Sequence, residues 1–332
     1  MQDWYAMQEL EVPWLVYGLL VNDSSSAFVG KSKAGKSSAI RTLAAAIIKN
    51  RSFLGRQVFV PKEGGSVLYI HLDRKDPVSY VAAELRALGI TKAESSRLHL
   101  VSAQDMPKDE AMRMGWLIEQ VTRLKPTLVV IDLLFQFICV DNSNDYNKNL
   151  KVINDLQDRL CKAGFHGHLV TAHHARKANG SVDPFDDLLG SSAIRGSFST
   201  NVLLVHDRKA KYHTIQTDQT QRVKELGEIE ETVIERNTDT AEMFLSRTVE
   251  SIKNEKKKKR ETAGAQDVFQ FITQHPKCTQ KEIMLGLHIS KPQVIKFLEE
   301  IGTEMLIRSG AGCSGKPFKY SIKPLESMME VN

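Results

Sequence analysis

The chain has 332 residues, 42% hydrophobic and only 7% aromatic, which suits one large core plus a small appendage and argues against a carbohydrate or membrane-surface specialist. A net charge of +5 permits a nucleic-acid partner without demanding one. No apolar run has the length of a membrane span, no secretion signal opens the chain, and Cys139, Cys161, Cys278 and Cys313 lack metal-ligand spacing, so reduced thiols and a cytoplasmic location are expected.

Residues 14–21 read as a lead-in strand or a short helix, and 22–26 as a turn. Trp14 and Tyr17 fit core packing better than base stacking. Next comes Gly30-Lys31-Ser32-Lys33-Ala34-Gly35-Lys36-Ser37, a fit to GxxxxGK[ST] between a short apolar run and an alanine-rich helix pattern. Glycines let the backbone wrap phosphates, while successive amides and the helix N-terminus meet their charge. Lys36 is expected to reach the β- and γ-phosphates and the Ser37 hydroxyl to hold Mg²⁺, so residues 30–38, Ser38 included, are predicted to bind Mg-ATP.

A connection follows over 54–65, with a short strand expected at 58–60. Residues 66–72 form a near-continuous apolar run, as a buried parallel strand requires. Asp73 sits at its C-terminal end, on the ligand-bearing edge of an open α/β sheet. Its carboxylate either orients an attacking water or caps a helix, with Asp76 the weaker candidate. A helix over 78–88, a strand over 98–101 and a helix over 112–124 come next. Thr127-Leu-Val-Val-Ile-Asp132 matches a Walker B strand, whose Asp132 holds Mg²⁺ or its water shell. Leu133 stands where many NTPases carry glutamate, so the water-activating carboxylate must come from elsewhere, which points back to Asp73.

Residues 141–145 read as a surface loop, 149–162 as an amphipathic helix and 167–172 as a strand. His173, His174, Arg176 and Lys177 cluster just beyond that strand, where they would sense the γ-phosphate or contact nucleic acid. Adjacent histidines point in different directions, and no Cys/His cluster completes a metal site. A mobile loop is expected over 178–189, a small-residue turn and helix over 190–196, a core strand over 201–206, and edge hairpins over 212–249. Arg208, Arg222 and Lys224 face either a neighbouring subunit's nucleotide or solvent.

The run Lys253-Asn-Glu-Lys-Lys-Lys-Lys-Arg260 cannot sit in a core and reads as a linker or helix end, either a soluble tether or a contact for a phosphate backbone. Beyond it, Thr279-Gln-Lys-Glu282 and Ser290-Lys-Pro-Gln293 are capping boxes. Three helices and a hairpin in this order predict a small winged helix-turn-helix domain. Lys291, Gln293 and Lys296 would lie on its presented helix, with Arg308 and Lys316 on its wing, as DNA contacts, although other winged helices serve only protein contacts. The fold class expected is α/β, with a mainly parallel sheet over 1–250, a basic linker over 251–262, the winged helix over 263–325 and a tail over 326–332.

With these motifs in order, residues 12–250 resemble the RepA-like hexameric helicases among the RecA-type P-loop ATPases. The resemblance rests on Gly30 to Ser37, Val67-Leu-Tyr-Ile-His-Leu-Asp73, Val129-Val-Ile-Asp132, the pair His173-His174, and Gly190-Ser-Ser192. It implies a RecA-like core that forms rings, with ATP between subunits and single-stranded DNA in the channel. Catalytic roles then fall to Lys36, Asp73, Asp132, His173 and His174, and the trans-acting arginine to Arg195, Arg208 or Arg222. In that family the position of Asp73 usually carries glutamate as catalytic base. Here it is one methylene shorter and is followed by Arg74, where the family often has an acid. The winged-helix tail resembles those of plasmid and phage replication proteins. The expected function is a DNA-dependent ATPase, a replicative helicase of a mobile element, with replication proteins as further partners. The alternative is an ATP-gated DNA-binding or recruitment module.

Overall fold

The computed structural model describes residues 12–73, 76–138, 146–175, 185, 192–219, 227–262, 264–313 and 316–324. Arg74, Arg176, Lys177, Gly190, Arg222 and Lys224, the loop expected at 141–145, the loop expected at 178–189 apart from Phe185, and the tail 326–332 lie outside the described residues. Contacts divide the chain into two compact units, Met1–Thr248 and Val249–Asn332.

In the first unit, β1 (Trp14–Val16) and β2 (Leu20–Val21) form a hairpin, which settles the lead-in segment as strand. The large sheet is built from β3 (Ser24–Gly30), β4 (Val67–His71), β5 (Leu98–Ser102), β6 (Leu128–Asp132), β7 (His168–His174), β8 (Thr200–Asp207), β9 (Tyr212–Gln219), β10 (Thr232–Arg236) and β11 (Met243–Thr248). Their order is β11-β10-β9-β8-β3-β7-β6-β4-β5. From β8 to β5 neighbours run parallel, whereas β9, β10 and β11 are added antiparallel at one edge, as the alternating pattern of residues 212–249 predicts. β3 starts earlier than its serines suggest. Ser24 to Ser26 belong to the strand because partners within the protein satisfy them, among them His168 Nε2, 3.0 Å from Ser26 Oγ. No strand forms at 58–60; a single bridge joins Val16 to Val58.

Both faces of the sheet are covered. On one face Phe28, Tyr69, Val130, Val170 and Val202 pack with α1 (Lys36–Lys49) and α2 (Val78–Ala87). On the other, Val29, Leu68, Ile70, Val129, Ile131 and Leu203 pack with α3 (Glu110–Leu124) and α5 (Tyr146–Lys162). The short helices α4 (Leu134–Phe137) and α6 (Ser192–Ser197) follow β6 and precede β8. Alternate side chains of each strand feed opposite layers, which is the two-residue period of a buried parallel sheet. This is a large, mostly parallel α/β sheet of the kind that carries P-loop NTPase sites.

The second unit opens with α7 (Val249–Thr262), so the basic run lies within a helix. Helices α8 (Ala265–Gln274), α9 (Gln280–Leu287) and α10 (Lys291–Ile301) enclose a core of Val268, Ile272, Ile283, Val294 and Phe297. Thr279 and Ser290 form the expected capping boxes with Glu282 and Gln293. A three-stranded antiparallel sheet joins β12 (Cys278–Thr279), β14 (Lys319–Ile322) and β13 (Leu306–Ser309) in that order. Among the described residues, no helix is long and apolar enough to cross a membrane.

Candidate active site

The glycine-containing loop leaves the C-terminal end of β3 and turns into α1. Gly30 is required where it stands, since a Cβ there would meet the Leu204 carbonyl oxygen at 2.3 Å. Gly35 caps α1 with φ +97°, a left-handed conformation that side chains resist. No side chain caps this helix and its first turn holds no acid, so the leading amides of Lys36, Ser37 and Ser38 face an anion site. Lys31, Ser32 and Lys33 are exposed at the loop's apex, Ala34 is buried, and Ser37 and Ser38 are half-buried.

Lys36 is buried and curls back over its own loop, donating to the carbonyls of Gly30 at 2.9 Å and Lys31 at 3.0 Å. Burial pushes its pKa down to about 8, against the opposing pull of the charges on Asp132 and then Asp73. Those two carboxylates therefore lie in the electrostatic neighbourhood of the lysine, although they come from different strands.

Asp132 closes β6 and is fully buried. Its Oδ2 accepts from the Tyr69 hydroxyl at 3.0 Å, and its Oδ1 is buried with no hydrogen-bond partner among the described residues. Burial, then the charge of Asp132, holds the Tyr69 hydroxyl well above its ordinary range, so it stays protonated as a donor. A bare, buried carboxylate oxygen near the phosphate loop has the chemistry a hard cation demands, and Ser37 supplies a second oxygen in the first turn of α1. These residues fit Mg²⁺, which would neutralise phosphate charge there.

Asp73 lies just past β4, half-buried, and lines a cleft of about 1120 Å³ together with His71, Ser102, Gln104, Lys108 and Gln136. Asp76 lines the same cleft, but its carboxylate is engaged by Arg41, which also binds Glu84. Arg236 reaches the other Glu84 oxygen at 3.1 Å. Arg41, buried in α1, carries no recognisable motif in the sequence. Only its spacing on an otherwise apolar helix face could have marked it.

The histidine pair is split by strand alternation. His174, level with Gly30 in the β3–β7 register, brings Nδ1 to 3.3 Å from Lys36 Nζ, whereas His173 packs edge-on against Phe135 at 4.6 Å between ring centroids. Thus Lys36, Asp73, Asp132 and His174 converge on the C-terminal edge of the sheet, and His173 faces elsewhere. Residues 2–180 match the family model of an AAA domain, more than half of the chain. The chain belongs to that AAA-domain family of P-loop ATPases. No curated protein matches it. The AAA-domain assignment implies nucleotide binding.

Arg195 pairs with Asp218 at 2.6 Å and stacks over Phe185, while Arg208 is exposed on the β8–β9 turn. In the second unit Lys291 and Lys296 are exposed on α10, and Lys296 pairs loosely with Glu300 at 3.6 Å. The Gln293 side-chain oxygen accepts from the Ser290 amide at 3.0 Å, so that oxygen serves the helix cap. Arg308 is exposed and stacks on Phe318 at 4.4 Å, and Lys316 is exposed on the connection between β13 and β14.

Proposed function

We propose that the chain is a DNA-dependent ATPase of the RepA-like replicative helicase kind, serving a plasmid, phage or related mobile element. The observation that carries this reading is the convergence of Lys36, Asp73, Asp132 and His174 on one sheet edge beside an uncapped helix N-terminus. Lys36 exchanges its loop carbonyls for β- and γ-phosphate oxygens, and Ser37 and Asp132 hold Mg²⁺. Asp73 takes the proton of the attacking water, and His174 reads the γ-phosphate through its contact with Lys36. Copies of the chain assemble as a ring, a hexamer, around single-stranded DNA. Arg208, exposed beside the nucleotide edge, is the better trans-acting arginine than Arg195, which is engaged by Asp218. The three helices and small sheet of the second unit act as a winged helix, with Lys291 and Lys296 meeting phosphates and Arg308 and Lys316 on the wing.

Hydrolysis with and without single-stranded DNA, alongside native mass with and without ATP, tests the reading. DNA should stimulate turnover, and ATP should stabilise a six-membered ring. Asp73→Asn should keep ATP affinity and lose at least roughly ten-fold in turnover. A chain that is monomeric in every condition, with turnover indifferent to DNA, overturns it. The short Asp73 side chain favours a second reading, an ATP-gated DNA-binding module, which turnover at buffer level in the parent would establish.

A further inference from the structure

Tyr69 stands in the middle of β4, fully buried, on the sheet face that packs against α1. Strand register sets His71 opposite Asp132, with Tyr69 two residues earlier on the same face. Its ring is long enough to carry the hydroxyl up to the carboxylate, where it donates to Oδ2 at 3.0 Å. The guanidinium of Arg41, itself anchored by Asp76 and Glu84, adds a positive charge that acts on the same hydroxyl. A hydroxyl hydrogen is repelled by a cation and attracted by an anion, so the charge of Arg41 favours the orientation in which it is donated to Asp132.

A carboxylate at the end of a strand can otherwise turn about its terminal torsion and offer either oxygen. Here one oxygen is claimed and the other, Oδ1, is buried and has no partner among the described residues. We propose that Tyr69, braced by Arg41, is the positioning residue of Asp132: it occupies Oδ2 and so presents Oδ1 alone to Mg²⁺. The inference rests on the reading of Asp132 as the metal-binding carboxylate. It adds two residues from β4 and α1 that carry no metal-binding motif.

The test reads metal-dependent nucleotide affinity, not hydrolysis. A fluorescent ATP analogue is titrated onto the full chain in chelator and at increasing Mg²⁺, giving the Mg²⁺ concentration at which tightening is half complete. Tyr69→Phe removes one oxygen and keeps the packing ring. It should raise that midpoint about ten-fold, the low end for losing a partner that orients a metal ligand, with affinity in chelator unchanged. Asp132→Asn should raise it at least as far, and the double variant no further than Asp132→Asn alone. A parent-like midpoint in Tyr69→Phe, with or without a lower melting temperature, overturns the inference and leaves Tyr69 as core packing. Additive effects in the double variant overturn it too, because Tyr69 would then act through some other group. If Asp132→Asn itself leaves the midpoint unmoved, the metal reading of Asp132 falls and this inference falls with it.

Discussion

Replacing Lys36 by methionine should abolish nucleotide binding and at the same time make the protein more resistant to heat. Lys36 is only 5% exposed, and burial lowers its pKa from 10.5 to about 8 despite the nearby charges of Asp132 and Asp73. At about 1.4 kcal/mol per pKa unit, keeping it charged at pH 7 costs the folded state roughly 3 kcal/mol. Methionine removes that cost at nearly the same volume. It also loses the bonds to Gly30 and Lys31, but both carbonyls keep another donor, Ala175 N at 3.1 Å and Ala34 N at 3.2 Å. Allowing about 1 kcal/mol for the lost bonds leaves a net gain of roughly 2 kcal/mol. In a unit of this size that is a rise of about 4–8 °C in melting temperature. The sign depends on pH in a checkable way. The unfolded chain binds the extra proton between pH 8 and 10.5, so the parent gains stability as pH rises through that window, and the advantage of Lys36→Met should shrink there. The assay is thermal melting of both proteins from pH 7 to 10, with fluorescent ATP binding in parallel. A variant that loses nucleotide but melts at or below the parent temperature at pH 7 would refute the claim that Lys36 is held at a cost in stability.

Arg41→Met removes the cation shared by Asp76 and Glu84 and should destabilise the fold by about 3 kcal/mol, the lower end for breaking a buried pair, since Arg236 still reaches Glu84. Parent-like chemical denaturation would show that the network contributes nothing. His168 is fully buried between the Val21 carbonyl and the Ser26 hydroxyl, and burial pushes its pKa from 6.5 down to about 4. The unfolded chain binds this proton first, so stability is whole above pH 6.5 and falls by on the order of 3 kcal/mol as pH drops to 4. Proton NMR of the imidazole should show no titration near 6.5 in the folded protein, and a normal midpoint there would contradict the burial argument.

The phosphate loop was legible because its chemistry is local: Gly30, Gly35, Lys36 and Ser37 act through consecutive backbone groups, so their spacing in the chain is their spacing in space. The same holds for Asp132, placed by the strand it terminates, and for the capping boxes at Thr279 and Ser290, each of which closes within one turn. What lay beyond the sequence depends on which strands become neighbours. Asp132 and Tyr69 meet only because β6 pairs with β4, and His174 reaches Lys36 only because β7 inserts between β3 and β6 in the register that sets it against Gly30. The two histidines look equivalent as a pair in the chain, and strand alternation alone sends one to the lysine and the other to Phe135. Arg41 reads as an ordinary charge on an alanine-rich helix. Packing buries it, and a buried cation is stable only where carboxylates from elsewhere in the chain, here Asp76 and Glu84, are brought to meet it. Sequence determined which loop is expected to meet phosphates, because that recognition would be made by one continuous segment. Tertiary structure decided which distant side chains complete the site, because their contacts arise from the order and register of the strands.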